Sequence, residues 1–350
     1  MNIVAFYGVG EFGKSYINHC ISEGLNNLHL TDPDSSLWWT QYYKMTIFDP
    51  NCMKWDLYDM VVITTDSREF YEDAVNRLTT VYKVPREKIR ACWEVIVLTK
   101  EMKEFYKWSD GKLNNTKGSE LVTKKELSDM LDVDSLNDLE KFFLLENHRV
   151  ITKWLHYFDA YDRFFSKYRG KDVTILEIGV FKGGSLQMWK KYFKGSDNKL
   201  QIYGIDIDPG CKRLEEENIK IFIGSQEDRE FLRKIKEEIG KVDILIDDGG
   251  HTMNQQIVTF EELFDLVDDN GVYLCEDLHT SYWKDYGGGY KGDSFIEYSK
   301  NLIDYINAHH SETDQLQVNS YTDSIGYVTY CDSMIFIEKK PMAKRYSAIS

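Results

Sequence analysis

The chain has 350 residues, with 58 acidic against 43 basic side chains and a formal charge of −15. That balance argues against nucleic acid as the main partner, because nothing would offset phosphate repulsion. No apolar run is long enough to span a membrane, so no membrane partner is expected either. The length suits two domains rather than one.

The N-terminal segment MNIVAFYGVGEFGKSY has no basic stretch ahead of its apolar residues and runs straight into a glycine turn. It reads as a strand, not a signal peptide. The six cysteines (Cys20, Cys52, Cys92, Cys211, Cys275 and Cys331) show neither a C-x-x-C pair nor metal-ligand spacing. Reduced thiols and a cytoplasmic location are the expectation.

Residues 1–98 form a first unit. NIVAFYG and NLHLTD are strands with a helix between them, from Phe12 to Gly24. The strand DMVVITTD and the helix REFYEDAVNRLTTVY follow. Strands alternating with helices indicate a parallel sheet with crossover helices. Residues 99–150 form a polar helical connector with a loop over SDGKLNNTKGSE. Thr123 with Glu126, and Ser135 with Asp138, have capping-box spacing and announce two short helices. A longer aromatic helix, HRVITKWLHYFDAYDRFFSKY, offers an interface for self-association. It leads into a second unit, counted from residue 151 to the end. There the strands VTILEIGV, QIYGIDID, IKIFIG, VDILIDD and GVYLCED alternate with helices such as EDREFLRKIKEEIG. IGYVTYCDSMIFIEKK closes the unit as two paired strands.

Two glycine-rich turns are candidate nucleotide sites. Gly8-Val9-Gly10-Glu11-Phe12-Gly13 matches G-x-G-x-x-G between a strand and a helix, and Asp32 ends the next strand, where an acid can bond a ribose. The same turn also serves as a purely structural element in domains that bind nothing, and Glu11 would repel phosphate. The second turn, LEIGVFKGGS, departs from that spacing. Glu177 precedes Gly179, and Gly183-Gly184-Ser185 opens the helix. An acid there suits a ligand with a cationic amino group. Asp206 ends the next strand, placed for ribose hydroxyls. Ser225, Gln226 and Asp228 follow the third strand, polar groups suited to an adenine edge. Strand C-terminal ends are where open α/β sheets bind ligands.

The segments LEIGVFKGGSLQMW, YGIDIDP, FIGSQEDREFL, ILIDDGGHTMNQQ and CEDLHTSYW, in this order, resemble the class I S-adenosylmethionine (SAM)-dependent methyltransferases. The likeness is greatest to the macrocin- and mycinamicin-type sugar O-methyltransferases. The resemblance implies an α/β fold: a mostly parallel seven-stranded sheet with an antiparallel last strand, preceded by a smaller Rossmann-like domain. It implies SAM at the turn holding Glu177, Gly179, Gly184 and Ser185, with Asp206 on its ribose, Ser225 and Gln226 near its adenine, and Asp247 close by.

Methyl transfer to a hydroxyl requires that the acceptor oxygen lose its proton or have its pKa lowered, tasks for a base and a divalent cation. Mg²⁺ prefers oxygen ligands. Asp248, Glu276 and Asp277, from two neighbouring strand ends, match the family's metal ligands, and His251 matches its base, with His279 as the rival. Adjacent strand residues point to opposite faces, so Glu276 and Asp277 share an ion only if the strand is already turning. HTSYWKDYGGGYKG reads as a flap whose Tyr282 and Trp283 either cover a sugar ring or simply pack.

The expected activity is Mg²⁺-dependent O-methylation of a sugar, sugar nucleotide or glycosylated small molecule by a homo-oligomer. The alternatives are an NAD(P)-dependent oxidoreductase or a nucleotide-sugar-binding protein working through Gly8–Gly13, and a non-catalytic module that has kept the fold.

Overall fold

The structure is a computed structural model that describes residues 3–109, 118–146, 149–313 and 315–341. The chain divides into two compact units, Met1–Arg149 and Val150–Ser350.

In the first unit the strands are β1 (Val4–Tyr7), β2 (Leu28–Thr31), β3 (Gln41–Tyr42), β4 (Met45–Phe48), β5 (Met60–Ile63), β6 (Ile89–Ala91), β7 (Val95–Leu98) and β8 (Glu120–Thr123). The helices are α1 (Glu11–Ser22), α2 (Arg68–Thr80), α3 (Lys100–Phe105), α4 (Lys124–Met130) and α5 (Asp138–Leu145). The main sheet runs β3-β4-β2-β1-β5-β6 and is parallel except at its β3 edge. Residues of the expected connector cluster with this unit, and β7 pairs antiparallel with β8. The central part of the expected loop, 110–117, lies outside the described residues. Thr123 and Glu126 form the capping box of α4 as expected. The next helix is capped two residues later than expected, by Asn137 with Glu140, and Ser135 falls in a single turn before it. Asn also serves as an N-cap, so both spacings were open to the chain.

The second unit contains α6 (Tyr157–Phe165), β9 (Val173–Ile178), α7 (Gly184–Phe193), β10 (Leu200–Asp206), β11 (Ile219–Ile223), α8 (Arg229–Ile239) and β12 (Val242–Asp247). It continues with α9 (Met253–Leu263), β13 (Val267–Cys275), α10 (Phe295–Asn307), α11 (Ser320–Ser324), β14 (Ile325–Cys331) and β15 (Met334–Lys339). The sheet order is β11-β10-β9-β12-β13-β15-β14. Strands β9 to β13 are parallel, and β15 runs antiparallel to both neighbours.

The period of β15 shows how this sheet fills both its faces. Ile335 and Ile337 join the core that holds Tyr273, Phe260 and Phe295, while Phe336 stacks on Phe164 with ring centroids 4.0 Å apart. The aromatic helix is shorter than its sequence pattern: residues 150–156 are irregular, and only Tyr157–Phe165 is α-helical. Its start at His148 lies outside the described residues. Rather than facing outward as an interface, Tyr161 and Phe165 pack edge-on against Trp189 of α7 within their own unit. Each such ring removes a large apolar area from water, and that burial holds the irregular segment before α6 against the sheet.

Candidate functional site

Strands β9 and β10 progress to one side of the sheet and β12 to the other, so the crevice above β9 and β12 is its topological switch point. The loop after β9 is shaped to let the two strand ends approach. Gly179 has φ 92°, and a Cβ there would collide with the Asp248 backbone carbonyl. Only glycine satisfies both conditions. Val180 and Phe181 both donate backbone N–H groups to Asp206 Oδ2 at 2.9 Å, and Asp208 N–H donates to Oδ1 at 2.8 Å. Asp206 is half-buried and joins the two loops, while the apolar side chains of Phe181 and Ile207 beside it are exposed.

Several expected cofactor residues lie inside the protein. Glu177 is fully buried and accepts hydrogen bonds from Ser185 Oγ (2.9 Å) and Trp189 Nε1 (3.3 Å), fastening α7 to β9. Burial pushes its carboxyl up to about 7, with Lys153 drawing it back. Gly184 and Ser185 are buried in the same joint. Asp247 is buried and accepts from Gln226 Nε2 at 3.0 Å; burial pushes its carboxyl up to about 7 as well.

Gln226 spends its whole amide inside. Nε2 also donates to Thr259 Oγ1 (3.1 Å), and Oε1 accepts from Gly250 N–H (2.8 Å). A side chain at Gly249 would strike this amide and one at Gly250 would strike that of Gln255, which explains the double glycine after Asp248. Asp228 is exposed and its carboxylate caps α8. Among the expected SAM contacts, Gly179, Asp206 and Ser225 remain at the loop edge. In the first unit, Asp32 is likewise buried and accepts from Val9 and Asp34 backbone N–H groups.

Acids and imidazoles meet beside these loops. Ligand atoms of Asp248, His251 and Asp277 all lie within 4.8 Å of one another, a group able to hold a metal ion. His251 Nε2 is 3.4 Å from Asp277 Oδ2 and 3.9 Å from Asp248 Oδ1, and its Nδ1 is buried with no hydrogen-bond partner. Strand β13 does turn where the acids require it. Glu276 N–H still donates to Asp247 O, and then Asp277 adopts the left-handed conformation (φ 54°, ψ 39°). The two neighbouring carboxylates therefore diverge. Asp277 faces His251, with Tyr157 OH donating to its Oδ1 at 2.8 Å. Glu276 is fully buried and lies outside the metal-competent group, its Oε2 2.6 Å from Lys153 Nζ. The same ammonium is 2.5 Å from Asp248 Oδ2. Burial raises the pKa of both carboxyls, Asp248 and Glu276.

His251 is also left-handed, with φ 60°. Strain of this kind in a non-glycine residue persists only where surrounding contacts impose it. The Thr280 hydroxyl is one such contact, lying 2.9 Å from the His251 carbonyl oxygen and 2.8 Å from that of Asp277. His279 is held differently. Its Nδ1 is 2.6 Å from Ser333 Oγ and 3.9 Å from Asp277 Oδ1, and its ring sits edge-on to Trp154 (5.7 Å) and Trp283 (4.5 Å). Trp154, Tyr282 and Trp283 are exposed. Sequence reasoning missed Lys153, Trp154 and Tyr157, because the segment carrying them reads as a continuous amphipathic helix. It also missed Ser333, a turn residue between two strands.

No family model matches the chain. Among curated proteins it is 34% identical over 202 residues to the 8-demethyl-8-alpha-L-rhamnosyl tetracenomycin-C 2'-O-methyltransferase of Streptomyces olivaceus, covering 54% of this chain and 52% of that protein. It is 34% identical over 211 residues to the demethylmacrocin O-methyltransferase of Streptomyces fradiae (56% and 52% covered). To the mycinamicin VI 2''-O-methyltransferase of Micromonospora griseorubida it is 36% identical over 200 residues (53% and 49%). The chain thus spans about half the length of the curated relatives it matches. Among solved structures it resembles the MycE methyltransferase from the mycinamycin biosynthetic pathway in complex with Mg and SAH. The TM-score is 0.51 at 32% identity, over 58% of this chain and 53% of that one. A second crystal form gives 0.52 at 27%, over 65% and 66%. The homologues of this chain are sugar O-methyltransferases, and its sheet is that of the Rossmann-like methyltransferases, as the motif order led one to expect.

Proposed function

We propose that this chain, a homologue of sugar O-methyltransferases, transfers the methyl group of SAM to a hydroxyl of a sugar, sugar nucleotide or glycosylated small molecule, with a divalent cation such as Mg²⁺ as cofactor. The observation that carries this reading is the convergence of Asp248, His251 and Asp277 within 4.8 Å, beside the loops of Gly179 and Asp206. The donor set fits a hard cation: two carboxylates with partly open side chains, beside an imidazole that is left to act as a base. The MycE structure, which has Mg and SAH bound, supports the same pairing of cofactors.

Asp206, with the exposed faces of Phe181 and Ile207, would take the adenosine part of SAM. The carboxylate suits ribose hydroxyls and the apolar faces a flat base. Ser225 follows β11, whose end pairs with β10 at Asp206, and would serve the same moiety. Glu177, Gly184, Ser185, Gln226 and Asp247 then act from behind, fixing the loops that SAM meets.

Asp248 and Asp277 would hold the cation, which supplies a lower pKa for the acceptor hydroxyl when bound. His251 Nε2 takes the hydroxyl proton as the oxygen–methyl bond forms and the sulfur–methyl bond breaks, leaving neutral S-adenosylhomocysteine. The two carboxylates beside the ring offset its new positive charge. His279 serves as a wall of the acceptor pocket, because Ser333 and two indole rings fix it. Trp154 and Trp283 would flank a sugar ring.

Among the described residues no helix is long and apolar enough to cross a membrane. The net charge of −15 and six unpaired cysteines support a cytoplasmic enzyme of small molecules rather than of nucleic acid.

The test is methyl transfer from labelled SAM to a panel of glycosides, with and without EDTA. Turnover that EDTA abolishes and Mg²⁺ restores is expected. Turnover indifferent to chelation would remove the cation from the reading, and no transfer to any hydroxyl acceptor would remove the activity.

A further inference from the structure

The residue that holds His279 stands in a two-residue turn. Cys331 pairs with Met334, so Asp332 and Ser333 alone connect β14 to β15. Ser333 is left-handed, with φ 61°, a conformation that tight turns usually give to glycine or asparagine. A side chain kept there against that preference points to a use for it. The Ser333 carbonyl accepts from Leu278 N–H (2.9 Å) and Tyr157 OH (3.3 Å), which docks the turn against the segment after β13. Its hydroxyl oxygen meets His279 twice, 3.2 Å from the backbone nitrogen and 2.6 Å from Nδ1.

These two contacts fix where the imidazole carries its hydrogen. The backbone N–H can only donate, so Ser333 Oγ accepts there, and its own hydrogen has Nδ1 as its one acceptor among the described residues. In the neutral ring Nδ1 is therefore the bare nitrogen, and Nε2 carries the hydrogen. His279 Nε2 has no hydrogen-bond partner among the described residues, and the side chain is 25% exposed. The ring lies edge-on to Trp154 and Trp283, both about half exposed. We propose that Ser333 is a positioning residue that sets this tautomer, and that His279 Nε2–H donates to an oxygen of the acceptor sugar other than the one methylated. A pair of indoles takes the faces of a sugar ring in more than one orientation. One directed N–H, matched to a hydroxyl, ring or glycosidic oxygen, selects the orientation that brings the right hydroxyl to His251. A nitrogen that already carries hydrogen cannot take another, so the same contact leaves the acceptor proton to His251. The inference rests on the reading that this site methylates a sugar hydroxyl.

Nitrogen-15 NMR of the full chain, labelled at histidine, reads the tautomer without reference to turnover. The His279 signals, assigned by comparison with His279→Gln, are expected to show a bare Nδ1 and a protonated Nε2 in the neutral ring. Ser333→Gly should give a mixture of the two tautomers. Glycine suits the turn, so this variant should keep its melting temperature while losing the hydroxyl. With the glycoside that the chain methylates fastest, Ser333→Gly and His279→Phe should each raise the acceptor KM about three- to tenfold, the worth of one hydrogen bond, with the KM for SAM unchanged. His279→Gln carries an amide N–H to the place of Nε2 and should recover most of that loss. His279→Asn, whose shorter amide stands at the place of Nδ1, should not. A protonated Nδ1 in the unmodified chain, or Asn serving as well as Gln, overturns the proposal. A lower melting temperature for Ser333→Gly with the acceptor KM unmoved would make Ser333 a turn residue alone, and overturns it too. Each of these outcomes leaves the methyl transfer standing. A chain that methylates no glycoside would overturn the activity and this inference together.

Discussion

His251 Nε2 stands 3.4 Å from Asp277 Oδ2, and the Thr280 hydroxyl lies within hydrogen-bond distance of the backbone carbonyls of both residues. Two strained, left-handed residues from different strand ends are thereby fixed face to face. His279, two residues after Asp277, has its Nδ1 against Ser333 and its ring between Trp154 and Trp283. The two histidines should therefore separate kinetically. His251→Ala should lower kcat by about 10² to 10⁴. His279→Ala should act mainly on the acceptor KM, leaving kcat within about tenfold, as a pocket wall does. Steady-state kinetics in acceptor and SAM decides; the reverse pattern would make His279 the base.

Asp206 gathers the Val180 and Phe181 amides and is half-buried next to the exposed Ile207. Asp206→Asn should raise the dissociation constant for SAM by roughly 10- to 100-fold, the effect of losing hydrogen bonds to a charged group. Calorimetry with SAM measures it directly. An unchanged constant would move the ribose contact elsewhere.

Glu177 gives the stability of the fold a pH dependence. Its carboxyl is raised from 4.5 to about 7, chiefly by burial, with Lys153 opposing and Asp248 adding to the shift. Between these values the folded chain keeps a proton that the unfolded chain has released. This group's contribution to stability therefore falls as pH rises through that window. Glu177→Gln removes the titration but loses part of the pairing to Ser185 and Trp189. The variant should be the less stable form near pH 4.5 and gain on the original by up to roughly 3 kcal/mol as pH approaches 8. Urea unfolding across that range checks it, and a constant difference would count against the buried, protonated state.

Trp154 and Trp283 border His279 and are about half exposed. Replacing either by Ala should raise the acceptor KM up to about tenfold, the worth of one aromatic face, with the KM for SAM unchanged. Should both constants shift together, the rings would be supporting the fold of the loops instead.

Much of this site was legible in the sequence because its parts are local. Period-two apolar runs located β9, β10, β12 and β13, and their C-terminal ends carry Glu177, Asp206, Asp248 and Asp277 wherever the sheet order places them. The order of motifs also led, through the family likeness, to a mostly parallel seven-stranded sheet with an antiparallel last strand, as found. Local patterns could not say which polar groups face outward. Gln226 and Asp247 look like ligand contacts in a string, yet they bond each other beneath the loop.

Two features belong to the tertiary structure alone. Lys153 meets Asp248 across 95 residues and Glu276 across 123, and no local pattern marks a lysine for partners so distant. The parting of Glu276 from Asp277 depends on one left-handed residue that is not glycine, a conformation aspartate visits more readily than most residues and that contacts from Thr280 and Tyr157 hold in place here. The sequence by itself determined that acids gather at one edge of this sheet. Only folding decided which of them meets a lysine and which meets His251, because that division is made by contacts between segments far apart in the chain.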